Sequence, residues 1–201
     1  MEFSKELHED IFLLNGTVES GKPKTRVIKH LELIRAKAKS SLKAKVCSEN
    51  NFPTAAGLAS SASGFAALTL AACSALKLDL STKELATLSR RGSGSSCRSF
   101  FGGYVEWLKG DQHETSFPIQ LADEDWLDIR DIIVVLEAHQ RKINTREAMS
   151  NSIKTSPFFA SRLAAVEDSL VKMRTAIRER DFTLLGKTAE TCSLFKETAA
   201  I

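Results

Sequence analysis

Two stretches carry residue types that could hold and transfer an anion. NNFPTAAGLASSASG (50–64) places Asn, Pro, Gly and four Ser or Thr hydroxyls ahead of an Ala-rich apolar run. Pro53 and Gly57 shape a loop, and Ser60 or Ser61 stands where a helix begins. A helix start presents unpaired N–H groups and the positive end of a dipole, which suits a phosphate. Ala55, Ala56, Gly57 and Ala59 are small enough to let an anion approach the backbone. The same residues equally describe an N-capped buried helix, and there is no Walker lysine motif to decide between the two. The second stretch, RRGSGSSCRSFFGG (90–103), sets Arg90, Arg91 and Arg98 around Ser93, Ser95 and Ser96. Arginine forks grip carboxylate and phosphate oxygens at two points, and Gly92 and Gly94 allow the tight backbone concavity that holds anions. A solvated glycine-serine loop is the competing description. Taken together, the two loops suggest a polyanionic ligand.

Elements of regular structure must bring these loops to one place. IFLLNGTV (11–18) reads as a strand, and TRVIKHLELIRAKAKSSL (25–42) has Val27, Ile28, Leu31 and Ile34 at helical spacing. LKAKVCSE alternates apolar and polar residues, so it reads as a strand that delivers the chain into the first loop. No residue from Asn50 to Leu76 is charged, but its hydroxyls and marginal apolar length argue for a buried Ala-rich helix rather than a membrane span. In STKELATLSRR, Ser81 is an N-cap and Glu84 its capping-box partner. SFFGGYVEWLKG and ETSFPIQL have hairpin character, and DIIVVLEA (131–138) reads as a buried strand. Phe159, Leu163, Val166, Leu170, Met173 and Ile177 form one helical stripe, read as core packing. A strand-rich half gives way to a helix-rich one between Leu121 and Trp126, which predicts an α+β chain of two domains, 1–122 and 123–201.

Composition excludes several function classes. The 28 basic and 25 acidic residues are scattered, so no basic face argues for nucleic acid. Cys47, Cys73, Cys97 and Cys192 form no C-x-x-C pair and lie at no metal-ligand spacing, and they read as buried thiols in a reducing compartment. MEFSKELHED is too charged for a secretory signal, so the expectation is a soluble, cytoplasmic protein without a membrane span.

NNFPTAAGLASSASGFAALTLA followed by RRGSGSSCRSFFGGYVEW resembles the mevalonate diphosphate decarboxylases of the GHMP kinase superfamily. The similarity continues weakly through VVL, the TSP segment at Thr155–Pro157 and IRERDF. The resemblance implies a GHMP-kinase-like two-domain α/β sandwich, incomplete at both termini. Residues 1–122 would be the remainder of the N-terminal ATP-binding domain, and 123–201 the start of the C-terminal one. It implies a carboxy-lyase that uses ATP and Mg²⁺. The enzyme phosphorylates the tertiary hydroxyl of mevalonate 5-diphosphate, then loses phosphate and carbon dioxide to give isopentenyl diphosphate for isoprenoid and sterol synthesis. By the same resemblance, Ala56, Gly57, Leu58, Ala59, Ser60 and Ser61 hold the ATP phosphates, and Ser61 also orients them or contacts Mg²⁺. Ala59 stands where simple kinases usually have Gly. Ser93 and Ser95 hold the substrate diphosphate and hydroxyl side, while Arg98 pairs with the carboxylate that is later lost. Thr145 and Arg146, in INTREAM, fill positions that reach the diphosphate, although Ala148 replaces a common Gly and a plain helix start fits equally. The resemblance further implies a homodimer for the full-length protein.

The chain departs from that family in what it lacks. The lysine- and tyrosine-bearing strand motif and the D-A-G-P segment with the catalytic aspartate are not among these residues, and TCSLFKETA stands where an Asn and a His are usual. Asp123, Glu124 and Asp125 read as solvated, and none is promoted to base. Two further readings therefore stand beside the decarboxylase: a GHMP-family small-molecule kinase without decarboxylation, and a non-catalytic fragment that acts through association.

Overall fold

Ile11 to Val18 turns back on itself rather than running as one strand. Asn15 and Gly16 both adopt positive φ, 50° and 78°, the geometry that an Asn-Gly pair supplies at a tight hairpin. The expected single strand is thus β2 (Ile11–Leu14) and β3 (Thr17–Val18), paired antiparallel through Leu13 with Val18 and Leu14 with Thr17. The computed structural model describes residues 1–52, 58–126, 129–130, 132, 134 and 145–198, with the side chains of 145–149 and 195–198 excepted. The predicted strand over 131–138 lies almost wholly outside the described residues.

These residues divide into two compact units, Met1–Ile119 and Gln120–Ile201. In the first, β1 (Glu2–Ser4), β2, β3 and β4 (Lys43–Ser48) form a sheet in the order β1-β4-β2-β3. β4 runs parallel to β2, with Ile11 opposite Lys45 and Leu14 opposite Ser48, and antiparallel to β1. A parallel pair needs a crossover, which α1 (Gly21–Ala38) supplies before Lys39 ends it in the left-handed conformation. The alternation read in β4 survives as Ala44 and Val46 turned inward. They meet Phe12, Val27, Leu31 and Ile34 together with Phe65, Leu68, Ala72 and Cys73 of α2 (Ser60–Ala75), so the core lies where α1 and α2 pack with the sheet.

α2 buries one face rather than its whole surface. Ala62, Phe65, Ala66, Thr69, Ala72 and Cys73 point inward, while Leu70 is 53% exposed. The buried positions recur every three or four residues, so a charge-free sequence still yields a two-faced helix. α3 (Thr82–Ser89) carries the anticipated capping box, with Ser81 Oγ accepting from the Glu84 N–H and the Glu84 carboxylate accepting from the Ser81 N–H. A 3₁₀ segment, Gly94–Phe100, follows; β5 (Tyr104–Trp107) and β6 (Pro118–Ala122) then form a two-stranded sheet.

In the second unit lie α4 (Thr145–Thr155), α5 (Phe159–Glu179) and α6 (Phe182–Thr198). The stripe on α5 is core only at its C-terminal end: Ile177 is 6% exposed, whereas Leu163 and Val166 are 56% and 37% exposed. Among the described residues α5 packs chiefly on α6, which leaves the earlier turns of the stripe uncovered. The cysteines also divide. Cys73 and Cys97 are buried, but Cys47 and Cys192 are exposed, because each lies on the outward side of its element. Burial pushes the Cys73 thiol up to about 11, against a smaller opposing effect of Lys37, and so keeps it protonated. No helix among the described residues is long and apolar enough to cross a membrane.

Candidate anion site

Ala59 adopts a left-handed conformation, φ 54°, and its carbonyl accepts from the Ala62 N–H at 2.7 Å. No side chain caps α2 and no acidic residue occupies its first turn. With neither a side-chain cap nor an acid among the described residues there, the positive end of this four-turn helix suits an anion. Ser61 is exposed in that first turn, Ser60 and Leu58 are half-buried, and Ala56 and Gly57 lie outside the described residues.

The second loop reaches the same place. Ser93 precedes the 3₁₀ segment, and its hydroxyl lies 3.3 Å from that of Ser61. Buried contacts behind it fix that position. The Ser93 N–H donates to the Ser89 carbonyl at 3.2 Å. Fully buried Ser96 joins Ser89 hydroxyl to hydroxyl at 2.6 Å and donates to the Ser93 carbonyl. Cys97 donates to the Gly94 carbonyl. Composition alone does not separate these serines: Ser89 and Ser96 hold the turn, Ser93 meets Ser61, and Ser95 is half-buried.

The three arginines are not equivalent. Arg90, read as part of an anion grip, is engaged elsewhere: its Nη2 donates to His113 Nδ1 at 2.8 Å and to the His113 carbonyl, with its guanidinium 5.9 Å from the Trp107 ring centre. These contacts reach across the loop between β5 and β6, which no spacing in the sequence announces. Arg91 and Arg98 are exposed, and Arg98 makes no salt bridge among the described residues. Thr145 opens α4, and nothing is described of its side chain or that of Arg146. Asp123, Glu124 and Asp125 are exposed. Among the described residues no three His, Cys, Asp or Glu side chains cluster as a metal site. A cleft of about 480 Å³ in the second unit, lined by Leu121, Trp126, Ile177, Arg174, Arg178 and Arg180 among others, includes none of the site residues proposed from the sequence.

A histidine that sequence reading passed over lies beneath the site. His30, 2% exposed on α1, contacts Thr69 Oγ1 through Nε2 at 2.7 Å. Thr69 spends its one proton on the Phe65 carbonyl at 2.7 Å, so His30 must be the donor and its Nδ1 is bare. That nitrogen is buried with no partner. Burial first, and the charge of Arg91 second, lower the imidazole from 6.5 to about 4. Its contribution to stability is therefore complete above pH 6.5 and is lost as pH falls through about 4, a change of about 3 kcal/mol. Urea unfolding at pH 7 and pH 4.5 should show this loss, and His30→Gln should flatten it; equal slopes in the two proteins would contradict the assignment.

The helix start meeting a serine-bearing turn within an α+β unit accords with the GHMP-kinase-like fold that the sequence resemblance implies. Comparison with known proteins is more specific. The family described as Diphosphomevalonate decarboxylase-like N-terminal domain matches residues 1–118, and the Mevalonate 5-diphosphate decarboxylase C-terminal domain matches residues 131–195. The chain belongs to the diphosphomevalonate decarboxylase family. It is 42% identical over 154 residues to the diphosphomevalonate decarboxylase of Aspergillus fumigatus, covering 74% of this chain and 38% of that one. Among solved structures it is similar to mevalonate diphosphate decarboxylase from Staphylococcus aureus, with TM-score 0.89, 37% identity, and 98% and 60% of the two chains covered. It is also similar to MDDEF in complex with MVAPP, AMPPCP and magnesium, with TM-score 0.88, 38% identity, and 98% and 61% covered. The chain thus spans 38% to 61% of the length of these relatives.

Proposed function

We propose that residues 58–61 and 93–98 form the phosphate-handling part of an ATP-dependent mevalonate 5-diphosphate decarboxylase. The 3.3 Å approach of Ser61 and Ser93 carries this reading, because direct phosphoryl transfer requires donor and acceptor sites to meet. The helix start of α2 would receive the ATP phosphates, with the Ser61 hydroxyl as a donor to them or a ligand to Mg²⁺. The exposed Ser61 hydroxyl at this helix start fits a cation held mainly by phosphate oxygens, and the complex of a relative with AMPPCP and magnesium supports it. Bound Mg²⁺ would neutralise charge that develops on the transferring phosphoryl group.

Ser93 and Ser95 would hold the diphosphate and hydroxyl side of the substrate, Thr145 and Arg146 would reach the diphosphate, and Arg98 would hold the carboxylate. The γ-phosphoryl group would pass from ATP to the tertiary hydroxyl oxygen, leaving ADP, while the hydroxyl proton goes to water. The carbon–carbon bond to the carboxylate then breaks, its electron pair forms the new double bond, phosphate leaves and carbon dioxide is released. The family matches over 1–118 and 131–195 support two domains, 1–122 and 123–201. A cytoplasmic homodimer that does not bind nucleic acid completes the reading.

A coupled assay that follows ADP and carbon dioxide from mevalonate 5-diphosphate tests it. The 201 residues alone should turn over negligibly, because they lack the lysine motif and the aspartate segment that position the reaction. A chain extended to the length of the relatives should release both products in equal amounts. ADP without carbon dioxide would favour a plain kinase, and neither product from the extended chain would leave a fragment acting by association.

A further inference from the structure

Phe65 lies one helical turn beyond Ser61 on α2, and its ring fills the space that a side chain at Gly92 would need: a Cβ there would fall 2.1 Å from Phe65 Cδ1. Gly92 is followed directly by Ser93. The ring is itself held on two sides. The His30 imidazole meets it edge-on, with centroids 5.3 Å apart at 86°, and the Arg26 guanidinium lies 5.1 Å from its centre while donating to the Gly92 carbonyl at 3.4 Å. The backbone beneath it is fixed by the chain from His30 Nε2 through Thr69 to the Phe65 carbonyl.

We propose that Phe65 is a positioning residue for phosphoryl transfer. Clamped by His30 and Arg26, it is the spacer that sets the distance between the first turn of α2 and the backbone at Gly92–Ser93, and hence the 3.3 Å separation of the two hydroxyls. His30 donates to Thr69 through Nε2 and packs its ring against Phe65, so a purely apolar side chain cannot replace it. Neither Phe65 nor His30 is assigned contact with a ligand. The inference rests on the reading of Ser61 and Ser93 as donor-side and acceptor-side groups.

The test uses the chain extended to the length of the relatives, with kcat measured beside the separate affinities for AMPPCP and mevalonate 5-diphosphate. Phe65→Leu should lower kcat by about a hundredfold, the scale of a misplacement of roughly 1 Å, while each ligand alone binds within about threefold of its original affinity. His30→Leu should do the same, and His30→Gln, which can still donate to Thr69, should recover most of the loss. Gly92→Ala should lower kcat, and combining it with Phe65→Leu should restore part of it, because the smaller side chain leaves room for the methyl group. Thermal midpoints separate misfolding from mispositioning. Should Phe65→Leu lose its fold, the His30 pair decides alone. Unchanged kcat in Phe65→Leu or His30→Leu, with Ser61→Ala strongly impaired, would overturn the positioning role and spare the site. Full activity in Ser61→Ala would overturn both.

Discussion

In a chain extended to the length of the relatives, Arg98→Ala should slow carbon dioxide release by about a hundredfold or more, the scale of losing one preorganised charge-stabilising donor. Arg98 lies five residues beyond Ser93, in the last turn of the 3₁₀ segment, and its guanidinium is exposed. No carboxylate of the described residues neutralises it, so its charge is available to a substrate. A guanidinium can hold both oxygens of a carboxylate, which keeps the breaking bond aligned, whereas an ammonium acts as a point charge. Arg98→Lys should therefore recover only part of the rate. Asp125→Ala should change little, because that side chain is exposed and belongs to neither loop. A wild-type rate in Arg98→Ala, or a reaction abolished by Asp125→Ala, would show that the charged groups have been assigned wrongly.

The second large effect is on stability. Asp10, 6% exposed, receives two N–H groups of Arg35 and the backbone N–H of Ala44 at 2.7 Å. Arg35 is 3% exposed, donates to the Leu42 carbonyl at 2.8 Å and lies over the Phe3 ring. The pair thus ties β1, α1 and the start of β4 together. Among the described residues, Asp10→Ala would leave a buried guanidinium with exposed Glu32 as its carboxylate partner and would strand the Ala44 N–H, at a cost of about 3–5 kcal/mol. That is a large part of the roughly 5–15 kcal/mol that stabilises a domain. Urea unfolding should show it, and the joint replacement Asp10→Leu with Arg35→Met should recover much of the loss by removing both charges. A cost below about 1 kcal/mol for Asp10→Ala would mean that the pair is not buried in solution.

The features legible in the sequence are those set by neighbours three or four residues apart. The start of α2 at Ser60, the capping box of Ser81 with Glu84 and the inward Ala44 and Val46 of β4 all depend on local hydrogen bonding and side-chain periodicity. The Asn-Gly turn was equally local but lay hidden inside an apolar run. The motifs around Ser61 and Ser93 were visible as two separate loops, and the resemblance they carry led to the family.

Which members of those loops would meet was decided by tertiary structure. Ser61 and Ser93 are 32 residues apart, and they come together because Phe65 packs on Gly92. Arg90 looked like an anion grip until a turn 23 residues away supplied His113. Asp10 belonged to what read as a merely charged N-terminus, yet α1, crossing over between β2 and β4, carries Arg35 back to it across 25 residues. A side chain's partner at such distances depends on which elements share a core, and the core is chosen by the burial of the whole set of apolar faces at once, which no local pattern encodes.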